Sequence, residues 1–202
     1  MSLTPVVHVV DDDQSLRTAL TRLLTAAGYQ VRTYASAGEF LLDAAADAPG
    51  CLLLDVRMPG PTGLELQQAL ERTARALPIV FLTAHGDIPT SVGAMRAGAV
   101  DFLTKPVKRE TLLGAIETAL ARDVDRRQAR AREQELRTRF ASLTPREHEV
   151  FVHVVAGLLN KQIAGEMNCS IRTVKFHRAR VMQKMQVGSV ADLVRLAEAL
   201  RS

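Results

Sequence analysis

The sequence predicts an α/β domain built on a doubly wound, five-stranded parallel sheet, followed by a long helical connector and a small all-α domain. Three observations predict this. Between residues 6 and 120, five short apolar or β-branched runs alternate with segments of helical periodicity, the pattern of strand–helix units whose helices cover both faces of a sheet. Beyond residue 142, capped amphipathic helices follow one another, with a short turn between the second and third. Charge divides the chain in the same way: residues 1–121 carry a net −3 and residues 122–202 a net +7, which together make the formal +4 of the 202-residue chain. An acidic front and a basic rear predict two domains, the second facing a polyanion.

The elements follow in order. Val6 to Val10 is a β-branched run that stops at Asp11-Asp12-Asp13, after which Leu16, Leu20, Leu23 and Leu24 recur at helical spacing as far as Gly28. Val31 to Tyr34 precedes a helix through Phe40 and Leu42. Leu52 to Leu54 precedes a helix spanning Leu64 to Leu77, Ile79 to Leu82 one spanning Val92 to Ala97, and Val100 to Leu103 one spanning Leu112 to Leu120. Residues 122–141 contain neither Gly nor Pro and are rich in Ala, Arg, Gln and Glu, so they predict a helical linker. Leu113, Ile116, Leu120, Val124 and Leu136 give it a broken apolar seam, a weak case for a coiled coil, and a melted linker is the alternative.

In a parallel sheet the strand C-termini share one edge, which brings Asp11, Asp12, Asp55, Thr83 and Lys105 together. A lone Asp55 at a strand end could be a helix or turn cap. Three carboxylates on one edge, however, repel unless a cation joins them, and Mg²⁺ suits hard oxygen ligands. Lys105 adds a fixed positive charge and Thr83 a hydroxyl, a combination suited to an oxyanion. Pro106 restricts the backbone beside Lys105 and admits a cis bond. Asp13 reads as a charge at a helix N-terminus. Arg57 and His85, each two residues past a site residue, are expected either to overhang an oxyanion or to face solvent.

In the rear domain, Thr144, Pro145 and Glu147 spell a capping box, and Asn160 and Ser170 are expected to cap the next two helices. Ser189 and Asp192 open a fourth helix, on which Val190, Leu193, Leu196, Ala197 and Leu200 form one stripe. On the third helix, Ile171, Val174, Val181, Met182 and Met185 face the core. Arg172, Thr173, Phe176, Ala179, Arg180 and Gln183 lie opposite, with Lys175 at the margin. Arg178 falls near the core side and must snorkel, find an acid, or show that the helix is phased differently. A basic outward face predicts DNA: Phe176 for a thymine methyl, Lys175 and Arg180 for guanine edges or phosphates. A protein contact is the alternative for Phe176.

Residues 1–121 resemble a response-regulator receiver domain, on the Asp11-Asp12 pair, Asp-x-x-Met-Pro-x-x-x-Gly from Asp55 to Gly63, Thr83-Ala84 and Lys105-Pro106. Residues 142–202 resemble the LuxR-type helix-turn-helix, on Leu143 to Glu147, Asn160 to Ala164, Thr173-Val-Lys-x-His177 and Lys184-Met185. The pairing is similar to the FixJ/NarL type of two-component response regulator. The resemblance implies a flavodoxin-like receiver with Asp55 as phosphoacceptor. It also implies Mg²⁺ on Asp12, Asp55 and the backbone carbonyl of Arg57, with Asp11 acting through water. Thr83 and Lys105 would take the phosphoryl oxygens, and Phe102 would be the switch aromatic. The DNA-facing set it implies is Arg172, Thr173, Lys175, Phe176, His177, Arg180 and Lys184. A sensor histidine kinase and double-stranded promoter DNA are the implied partners, with RNA polymerase a further candidate; the rear domain's fourth helix is implied to mediate dimerisation on DNA, and phosphorylation is expected to rearrange the receiver face around Val92, Met95, Arg96 and Phe102 and favour a homodimer.

Cys51 and Cys169 have no metal-ligand spacing and read as buried, reduced thiols, which fits a cytoplasmic protein. No run approaches the length of a membrane span, and the N-terminus lacks a signal-peptide pattern. A Mg²⁺-dependent aspartyl-phosphate phosphatase is the enzymatic rival. Such enzymes carry their nucleophile in an Asp-x-Asp after the first strand, and the catalytic acid is missing here, so no enzyme is expected. A ligand-gated DNA binder, or a receiver acting through protein contacts alone, is the other rival.

Overall fold

The computed structural model describes residues 4–43, 48–72, 77–84 and 88–200. The chain divides into two compact units, residues 1–126 and 127–202.

In the first unit the strands are β1 (Val6–Val10), β2 (Gln30–Tyr34), β3 (Gly50–Leu54), β4 (Ile79–Thr83) and β5 (Asp101–Thr104), all parallel, in the order β2-β1-β3-β4-β5. The intervening helices are α1 (Gln14–Ala26), α2 (Ala37–Leu42), α3 (Gly63–Glu71), α4 (Ile88–Arg96) and α5 (Arg109–Ala141). Strands β1, β3 and β4 are buried along their whole length, as continuous apolar runs in a parallel sheet should be. The two-residue strand period splits β3 between two cores. Leu52 and Leu54 pack with Phe40, Leu66, Leu70 and Phe81 on one face, and Cys51 and Leu53 with Leu20, Leu24, Leu112 and Ile116 on the other.

Helix α3 ends earlier than the apolar spacing suggests: Arg72 is its C-cap and buried Leu77 lies outside it. Pro78 follows Leu77 and disfavours a helical backbone there. The apolar residues on α5 do not form a seam for a partner. Leu113, Ile116 and Leu120 pack in or against the first unit's core and Leu136 in the second's, which leaves Val124, 53% exposed, as the one seam residue outside both.

The root of the connector is tied to the sheet. Gly50 opens β3 with its N–H directed towards β4, but β4 begins only opposite Leu52, so among the described residues no β4 carbonyl faces it. Asp123 on α5, 2% exposed, substitutes for it: Oδ2 accepts from Gly50 N at 2.9 Å, while Oδ1 accepts from Arg126 at 2.7 Å. Nearby Cys51 is buried, and burial first, then the Asp123 charge, push its thiol up to about 12. Cys169 is only half-buried, so the expectation of two buried thiols holds for one.

The second unit holds the end of α5 and helices α6 (Pro145–Val155), α7 (Asn160–Glu166), α8 (Ile171–Met185) and α9 (Val190–Ala199). Their core contains Val150, Phe151, Ile163, Val174, Val181, Met185 and Leu193. The α6 capping box forms as expected, with Thr144 N donating to Glu147 at 2.8 Å and Glu147 N to the Thr144 hydroxyl at 3.3 Å. Asn160 is not the cap of α7. Leu159 holds that position, its N–H donating to the Gln162 side chain at 2.8 Å. The apolar stripe of α9 is already spent within this unit: Leu193 and Ala197 are buried and Val190, Leu196 and Leu200 pack beside them. A dimer through α9 would therefore use its other face. No helix among the described residues is long and apolar enough to cross a membrane.

Candidate functional site

The sheet topology delivers the acidic edge. Asp11 follows β1 and Asp55 follows β3, and the two strand ends are joined by Asp55 N donating to Val10 O at 2.9 Å. Ligand oxygens of Asp11, Asp12 and Asp55 lie within 4.8 Å of one another; Asp11 and Asp55 are buried and Asp12 is exposed at the lip. Lys105 sits just beyond β5, its N–H donating to Thr83 O at 2.8 Å and its peptide bond to Pro106 cis. The lysine ammonium lies 2.6 Å from Asp11 Oδ2 and 3.4 Å from Asp55 Oδ2. Thr83, the last residue of β4, is buried at the same edge.

Asp55 is held by its own surroundings. Its Oδ1 accepts from Val56 N at 2.8 Å, and burial raises its pKa above the ordinary value, opposed by the Lys105 charge and reinforced by Asp11. Helix α3 begins directly against it: a Cβ on Gly63 would meet Asp55 O at 2.2 Å, so only glycine fits. Asp13 is the N-cap of α1, accepting from Ser15 N at 2.8 Å and Leu16 N at 3.1 Å. Arg17, which sequence reasoning did not single out, donates to Asp11 O at 2.5 Å. A basic residue one turn into the helix after an acidic loop was the available signal. Arg57 has an exposed side chain, and His85 lies outside the described residues. Phe102 is half-buried, its ring 5.9 Å from that of Phe81.

The carboxylates outnumber the cation between them, and their oxygens are hard donors close enough to share one ion. That donor set fits Mg²⁺.

In the second unit, Ser170 caps α8 by accepting from Thr173 N at 3.0 Å. Helix α8 contains five Lys and Arg residues and no acid. Two of the five pair with groups outside α8, and Arg180 has a long contact within it, to Gln183 Oε1 at 3.4 Å. Arg178 donates to Asn160 Oδ1 at 2.8 Å, which answers its place near the core with an amide rather than an acid. Lys184 donates to Glu147 Oε2 at 2.6 Å and Ser142 O at 2.8 Å. That bond to Lys184 is the main reason Glu147 titrates below the ordinary carboxylate range. Arg172, Lys175, Phe176 and Arg180 are exposed, while Thr173 and His177 are half-buried. Ile171 is exposed rather than core, because the first residue of α8 lies beyond the edge of the packed helices.

The comparisons agree with this geometry. Residues 7–117 match the response regulator receiver domain and residues 141–197 the bacterial regulatory proteins of the luxR family. The response regulator protein TmoT of Ectopseudomonas mendocina is 45% identical over 196 residues, 97% of this chain and 89% of TmoT. The transcriptional regulatory protein FixJ of Bradyrhizobium diazoefficiens is 42% identical over 191 residues, 95% of this chain and 93% of FixJ. Among solved structures, that of the response regulator StyR is 50% identical with a TM-score of 0.85, covering 96% of this chain and 98% of StyR. The chain belongs to the response regulators that join a receiver domain to a LuxR-type DNA-binding domain.

Proposed function

We infer that the protein is a phosphorylation-switched transcription factor whose phosphoacceptor is Asp55 and whose donor is the phosphohistidine of a sensor kinase. The observation that carries this is the carboxylate cluster of Asp11, Asp12 and Asp55 with Lys105 between two of them at 2.6 and 3.4 Å. An Asp55 carboxylate oxygen attacks phosphorus in line, the phosphorus–nitrogen bond breaks, and the imidazole leaves with its electron pair. Lys105 favours the ionised, attacking form of Asp55 and then receives a phosphoryl oxygen, while Thr83 donates its hydroxyl to another. Asp11, Asp12, Asp55 and the backbone carbonyl of Arg57 are the groups to hold Mg²⁺. Bound there, the ion supplies charge neutralisation for the transferring group.

Phosphorylation adds about −1.5 to −2 charge at this edge. Drawing Thr83 towards it leaves room for the half-buried Phe102 to move inward, which alters the face it shares with exposed Val92 and Met95 and favours a homodimer. The second unit then binds double-stranded promoter DNA through α8, with Arg172, Thr173, Lys175, Phe176, His177 and Arg180 at the groove. Lys184, committed to Glu147, supports the helix from behind and reaches DNA only by leaving that pair. In this reading residues 1–121 receive the signal, 122–141 link, and 142–202 bind DNA; the role is regulatory rather than enzymatic, exercised in the cytoplasm, with RNA polymerase as a downstream contact. The test is phosphate labelling by a small-molecule phosphodonor in Mg²⁺. Asp55→Asn should abolish labelling, whereas full labelling of that variant would place the acceptor elsewhere.

A further inference from the structure

Phe176 and Arg180 stand one helical turn apart on the outward face of α8, and the Arg180 guanidinium carbon lies over the Phe176 ring, 5.6 Å from its centroid. Phe176 is 57% exposed and is flanked by the exposed cations Arg172, Lys175 and Arg180. A single exposed phenyl ring is ordinary by itself, but one set among three cations on a helix without acids suits a polyanion that offers apolar patches. Major-groove DNA has such patches in the thymine methyl groups. A guanidinium over the ring is kept from sampling other directions, which lowers the cost of presenting it to a guanine edge.

We propose that Phe176 and Arg180 are one reading unit, in which the ring covers a thymine methyl and aims the guanidinium at N7 and O6 of a guanine on the same strand. Residues four apart on a helix are separated by about 6 Å, and bases on one strand by about 3.4 Å, so the two bases lie one or two steps apart. Arg172 and Lys175 serve the phosphates. The proposal rests on α8 being the DNA-contacting element and adds the bases that it reads.

The test is selection of randomised duplexes by the full-length protein, phosphorylated with a small-molecule donor. Selected sites should carry T and G on one strand at that fixed spacing. Replacing this T by deoxyuridine, which removes only the methyl, should weaken wild-type binding about fourfold and leave Phe176→Ala unaffected. Arg180→Lys keeps the charge but loses the bidentate fork, so preference for G should fall at least about fivefold with the salt dependence unchanged. Phe176→Ala should also weaken the preference for G, because the guanidinium then keeps only its long contact to Gln183 Oε1, at 3.4 Å, and loses the ring beneath it. Equal wild-type affinity for the T and deoxyuridine duplexes overturns the proposal. So does an unchanged site preference in Phe176→Ala, and if that variant alters only the oligomeric state, the ring belongs to a protein interface. If the wild-type protein retains no duplex even at low salt, the DNA-binding reading fails first.

Discussion

His8 lies in the middle of β1 with 0% exposure, and its titration gives a quantitative test of how the receiver core is wired. Its Nδ1 is 3.0 Å from the Tyr34 hydroxyl, and that hydroxyl donates its only proton to Asp43 at 2.8 Å. The imidazole must therefore carry its proton on Nδ1 and donate to Tyr34, with Asp43 paired in turn to Arg32 at 3.0 Å. Nε2 has no hydrogen-bond partner. Protonating it would create a buried N–H without an acceptor, and burial, helped by the Arg32 charge, lowers the His8 pKa from 6.5 to about 4. Above pH 6.5 neither the folded nor the unfolded chain protonates this histidine. As pH falls below 6.5 the unfolded chain takes up the proton first, so stability is lost, and the loss levels off below about pH 4. Linkage gives a loss of about 2 kcal/mol by pH 5 and about 3 kcal/mol by pH 4. The assay is urea unfolding of the first unit's transition, followed by circular dichroism, for the wild-type chain and for His8→Gln. Subtracting the two series cancels every other titrating group. Equal acid sensitivity of the two proteins, or an imidazole proton titrating near 6.5 by NMR, would show that His8 is not held neutral by its burial in β1.

Three further outcomes follow from the packing. Asp123→Ala strands the buried Gly50 N–H, so the first unit should lose about 1–3 kcal/mol in urea unfolding, and Asp123→Asn less, because its amide oxygen still accepts. Gly63→Ala drives a methyl into Asp55 O; thermal melting should show a loss of about 1–3 kcal/mol or more, together with slower phosphate labelling at the displaced carboxylate. Lys184→Ala leaves the largely buried Glu147 facing only its cap, so chemical unfolding of the second unit should shift by about 1–3 kcal/mol while the salt dependence of DNA binding barely changes. A large fall in the salt dependence instead would make Lys184 a phosphate contact.

The sheet and its acidic edge were legible because both depend on local sequence. Buried parallel strands read as unbroken apolar runs, and a strand that ends in Asp or Lys must place it on the common edge. Asp11, Asp55, Thr83 and Lys105 are brought together for that reason. The phase of α8 was legible from periodicity, so Val174, Val181 and Met185 fell inward as expected. The long-range polar partners were not. Nothing near Asp123 in sequence announces that it substitutes for a β4 carbonyl beside Gly50. Nor does anything near Lys184 announce Glu147, 37 residues earlier. Asn160 looked like a cap because Asn favours that position, but Arg178 from another helix claims its oxygen. The end of α3 was misjudged because Leu77 continues the helical spacing while belonging to the approach to β4. The missed glycine restraint at Gly63 arises from backbone contact, which periodicity does not record.

In the proposed mechanism, charge added at Asp55 controls DNA binding by the second unit. Footprinting on the DNA flanking the protein's own coding region, with and without a small-molecule phosphodonor, tests it most directly. Phosphodonor should create or extend protection with the wild-type protein and have no effect with Asp55→Asn. Identical protection with and without phosphodonor, or a response that survives in Asp55→Asn, would contradict it.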